Sequence, residues 1–66
     1  MMNLENRRRI ALDVLNAAAD VGDTFVASAC RRIVAACARG FWPMKLEADW
    51  YVVDAFHDAL IEAEAA

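Results

Sequence analysis

Glycine and proline are close to absent: the 66 residues hold two glycines, Gly22 and Gly40, and one proline, Pro43. That scarcity excludes a collagen-like repeat, a Pro/Gly-rich disordered tract and a turn-rich all-β architecture. Cysteine is scarce too, with Cys30 and Cys37 seven positions apart. On a helix they would lie about 10 Å from each other at about 1.5 Å rise per residue, too far for a mutual disulfide. A disulfide-stapled scaffold is therefore excluded, and both read as small apolar core residues. No run of about 18 uncharged apolar residues is present, so no membrane span is expected. Glu5 precedes Arg7, Arg8 and Arg9, which is not the basic-then-apolar order of a secretory signal. A cytoplasmic location is the resulting expectation.

The equipment of an enzyme is also thin. His57 is the sole histidine, and neither a Gly-rich phosphate loop nor a Cys-x-x-Cys pair occurs. Ser28 or Cys30 could be drawn with His57 as a dyad, but no spacing supports that pairing. Asp54 and His57 have the i, i+3 separation of carboxylate–histidine metal sites in helical bundles, yet the bridging glutamates have no candidates. The chain is expected to be no enzyme and to use neither metal nor cofactor. His57 then reads as a hydrogen-bonded core or interface residue.

What the sequence has in quantity is alanine. Hydrophobic residues make up 61%, and fifteen of them are alanines, so the core must be thin and closely packed. The length suits one small domain, residues 1–66. Net charge is −3, unevenly spread. Residues 1–40 carry six arginines against Glu5, Asp13, Asp20 and Asp23, a surplus of +2. Residues 41–66 carry Lys45 against Glu47, Asp49, Asp54, Asp58, Glu62 and Glu64, which is −5.

The reading is all-α, with helices at about 4–21, 24–39 and 43–64. Asn3 suits an N-cap and Gly22 a stop. Asp23 or Thr24 opens the second run, and Gly40 closes it after Arg39, where the helix dipole favours a cation. Pro43 suits the first turn of the third helix. At about 100° per residue the apolar arc of each helix spans roughly 200°, wider than the stripe one surface helix buries. Such faces do not all fit inside one three-helix chain. A helical homo-oligomer, a dimer by preference, is therefore expected.

Three groups of residues could meet a partner. Arg31, Arg32 and Arg39 line the narrow polar side of the second helix, which contains no acid. Arg7 and Arg8 could join them if the first two helices pack antiparallel. Guanidinium forks suit carboxylates and phosphates alike, so this set is expected first to pair with the chain's own acids, at least one of them on the third helix, and otherwise to serve a nucleotide, a nucleic acid or an acidic protein partner. Glu47, Asp54, Asp58 and Glu62 form an acidic stripe along the third helix. Phe41, Trp42, Trp50 and Tyr51 supply aromatics around the second connection, where Trp42 is preferred as a docking anchor. The leading expectation is a non-enzymatic acidic protein that occupies a macromolecular partner, as inhibitor or regulator. Partner binding would use Phe41, Trp42, Trp50, Tyr51, Glu47, Asp54 and Asp58. Size and composition resemble those of phage or mobile-element accessory proteins that bind a host component. The alternative is a phosphate-bearing ligand held by the arginines at a subunit interface.

Overall fold

The computed structural model describes residues 3–65 and contains three helices: α1 (Leu4–Asp20), α2 (Thr24–Arg39) and α3 (Leu46–Ala65). No strand is present among the described residues. Each boundary has a local cause. The Asn3 side chain accepts a hydrogen bond from the Asn6 amide at 2.8 Å, and Asp23 accepts one from Val26 at 3.1 Å. Both satisfy amides that the first turn leaves without a helical partner.

The two glycines end the first two helices in the same way. Gly22 and Gly40 have φ of 75° and 73°, the left-handed region that a residue with a Cβ enters at a cost. Asp23 then donates to the Ala18 carbonyl at 2.9 Å, and Phe41 to Ala36 at 3.3 Å. These reversed bonds satisfy a carbonyl in the last turn of each helix.

The third helix starts later than Pro43. Leu46 donates to Pro43 at 3.0 Å and Glu47 to Met44 at 3.1 Å, so residues 43–45 form a tight turn leading into α3. A proline there fixes φ without surrendering an amide that the turn needs.

Helix α2 lies between the other two and supplies most of the core: Val26, Ala27, Ala29, Cys30, Ile33 and Ala36 are buried. Small side chains let both neighbours come close. Helix α1 offers Arg7, Ala11, Val14 and Ala18, spaced i, i+4, i+7 and i+11 on one side. Helix α3 adds Leu46 and Val53. The three-residue connection at 21–23 makes α1 and α2 antiparallel, and α3 returns along α2, so α1 and α3 run side by side.

The wide apolar arcs are only partly covered. Val21 stays 73% exposed and Phe25 67%, both where α1 turns into α2. Phe41, Met44 and Ile61 are exposed as well. Thin, alanine-lined helices do not offer enough facing surface to hide these side chains within one chain.

Candidate interaction surface

At one end of the bundle an arginine is trapped between aromatics. Arg7 is 7% exposed, although it stands in the first turn of α1. Its Cζ lies 4.1 Å from the Trp42 ring centroid and 5.0 Å from that of Trp50. The two indoles meet edge to face, with centroids 6.2 Å apart. Glu47 closes the cluster: its Oε2 accepts from Arg7 Nη1 at 3.5 Å and from the Trp42 indole N–H. A cation over an indole gains from the ring quadrupole, more so when water is removed. Arg7 Nε is buried without a hydrogen-bond partner, which raises the dependence of this side chain on its ring contacts and on Glu47.

The arginines do not converge. Arg7 lies under the tryptophans, and Arg8 pairs with Glu5 of its own helix at 3.3 Å. Arg32 makes a two-pronged bond to Asp49, Nε to Oδ2 at 2.8 Å and Nη2 to Oδ1 at 2.9 Å. That fork geometry is the strong form of an arginine–carboxylate pair, and it ties α2 to the start of α3. The bond holds the Asp49 carboxyl below the usual carboxylate range and raises the Arg32 guanidinium further above its own. Arg31 and Arg39 are exposed and make no ion pair among the described residues.

The aromatics divide into two kinds. Trp42 and Trp50 are half-buried in the Arg7 cluster, whereas Phe41 and Tyr51 face solvent, Tyr51 at 78% exposure. Tyr51 lies on the acidic side of α3. Glu47, Tyr51, Asp54, Asp58 and Glu62 follow at steps of four, three, four and four residues, which keeps them along one side of the helix. No lysine or arginine occurs anywhere in α3. The side chain that interrupts this row of carboxylates is a phenol, itself a common interface residue.

Two further features adjoin that row. Asp54, His57 and Asp58 bring one ligand atom each to within 4.8 Å of one another. An imidazole with two carboxylates is a donor set that could take a divalent transition metal. All three donors come from a single stretch of helix, and the rest of the coordination sphere would be water. The second feature is a cleft between α1 and α3 of about 370 Å³, lined by Asp13, Asn16, Ala17, Asp20, His57, Leu60, Ile61 and Glu64. Sequence reasoning did not single out Asp13, Asp20 or Glu64. The available signal was the seven-residue spacing of Asp13 and Asp20, two turns apart on α1, and it needed α3 alongside to acquire meaning.

Comparison with protein-family models, with curated proteins and with solved structures gave no match for this chain.

Proposed function

We propose that this chain is a non-enzymatic binding protein that occupies a basic surface of a macromolecular partner, acting as an inhibitor or regulator. The observation that carries the reading is the row Glu47, Tyr51, Asp54, Asp58 and Glu62, exposed except for half-buried Asp54, on a helix without a lysine or arginine. Charges around an aromatic side chain steer a partner of opposite sign and set its register. Glu47 belongs to both the row and the Arg7 cluster, so the row is anchored to the folded end of the bundle.

The test is affinity capture with matched variants. Asp54→Lys with Asp58→Lys should abolish capture of the partner that the unaltered chain retains. Arg31→Glu with Arg39→Glu should leave it intact. Loss of binding in the arginine variant alone would contradict the reading.

A homodimer forms part of this proposal, supported by Val21 and Phe25, whose exposed apolar side chains have no cover among the described residues. Light scattering at micromolar concentration should report twice the chain mass, and Phe25→Ser should shift the balance to monomer. A chain that stays monomeric and binds no hydrophobic dye would rule the dimer out.

One observation favours a second reading. Arg31 and Arg39 have no carboxylate partner among the described residues and could hold a phosphate-bearing ligand. Phosphate contacts release counterions, so that binding would weaken steeply with salt and would survive the α3 substitutions.

A further inference from the structure

We infer that the cleft between α1 and α3 receives a cationic side chain, arginine or lysine, carried by a segment of a partner protein. The inference rests on the reading above and assigns the partner's chemistry to a second place beside the row. Its volume of about 370 Å³ falls at the lower end of ligand-sized cavities, enough for one or two long side chains. The lining has two chemical parts. Ala17, Leu60 and Ile61 are apolar; Asp13, Asp20 and Glu64 are carboxylates. Arginine and lysine have the complementary division, an aliphatic stem and a charged head that stays at the polar rim. No lysine or arginine contributes to the lining, and Arg9, one turn before Asp13, is not part of it.

The chain's other cations are placed elsewhere. Arg7 and Arg8 are held at the opposite end by Glu47 and Glu5, and Arg32 is bound to Asp49. The cleft therefore keeps its negative charge for an incoming group. Carboxylates concentrated in a recess raise the local concentration of cations. Asp13 and Asp20 are seven residues apart, about 10 Å along the helix axis. A helical segment with basic residues two turns apart would match both.

The test uses a short amphipathic helical peptide of alanine and leucine with arginines two turns apart, and its glutamine counterpart as control. Two charge-matched variants are compared. One removes the cleft carboxylates (Asp13→Asn, Asp20→Asn, Glu64→Gln); the other removes the outer row (Asp54→Asn, Asp58→Asn, Glu62→Gln). Circular dichroism confirms that each folds, and Glu64→Gln alone replaces the triple variant if that one does not. The expected result is binding of the arginine peptide with resonance shifts at Ala17, His57, Leu60 and Ile61. The cleft variant should weaken it by at least about tenfold, as truncating one side of a close charge pair does, and the outer-row variant by clearly less. Equal losses in both variants would mean that net charge, and not the cleft, attracts the peptide, and would overturn the inference. An unaffected cleft variant beside a weakened outer-row variant would overturn it while leaving the proposed function standing. Equal binding of the glutamine control, or cleft shifts that appear only on self-association, would overturn it too.

Discussion

The guanidinium of Arg7 sits over the indole of Trp42, 4.1 Å from the ring centroid, and fastens the start of α1 to the connection between α2 and α3. In that first turn Asn3, Glu5 and Asn6 are exposed and Leu4 is half-buried, so Arg7 is its one buried side chain. Trp42 engages Arg7, Trp50 and Glu47 at once, so the connection is part of the folded unit.

Trp42→Ala should accordingly cost about 2–4 kcal/mol of stability, near the lower part of the range for removing a large aromatic, since Trp42 is only half-buried. Chemical denaturation measures it. Trp42→Phe keeps a ring but loses the N–H donor to Glu47, and should cost nearer 1 kcal/mol. A Trp42→Ala chain with an unchanged midpoint and a lost partner would instead make Trp42 a docking anchor.

Much of this architecture was legible in the residues. Asn3, Gly22, Asp23 and Gly40 mark helix ends through backbone chemistry that depends only on neighbours a few positions away. Arg7 was legible as a candidate site residue, but its partners were not. Trp42 and Glu47 reach it only because α3 returns alongside α1, a tertiary fact that no local pattern encodes. The same applies to the cleft. Asp13 and Asp20 enter the sequence reading only as charges; their place in a recess needs Leu60, Ile61 and Glu64 opposite them. The later start of α3 has a smaller reason: Pro43 fits a helix's first turn and a preceding tight turn equally well.

The Arg32–Asp49 pair should leave a mark on acid unfolding. Its hydrogen bonds lower the Asp49 pKa in the folded chain, so the charged carboxylate favours the fold above the unfolded aspartate's pKa of about 3.9. That contribution disappears as pH falls through the folded value. Asp49→Asn should therefore be less stable than the unaltered chain at neutral pH, with the gap closing in strongly acidic solution. Thermal melts across an acid series would show it. A gap of constant size down to the lowest pH would mean that the carboxylate's charge plays no part.

Thiol chemistry should be slow and ordered. Burial raises the pKa of both cysteines, with Arg31 opposing it at Cys30 and Arg7 and Arg8 opposing it at Cys37. Little thiolate is then present near neutrality, and the thiolate is the reactive form. A chromogenic disulfide reagent should modify half-buried Cys37 before buried Cys30. Both should react only at a small fraction of the rate seen in denaturant. Immediate reaction of both thiols in the native chain would contradict the packing of α2.

The claim that the acidic side of α3 is the working surface can be tested inside the cell with a photo-cross-linking side chain. Placed at position 58, between the carboxylates of the row, it should yield a discrete adduct with a partner. Placed at position 35, among the arginines on the exposed side of α2, it should yield none. An adduct from position 35 with nothing from position 58 would contradict the account and assign the function to the arginines.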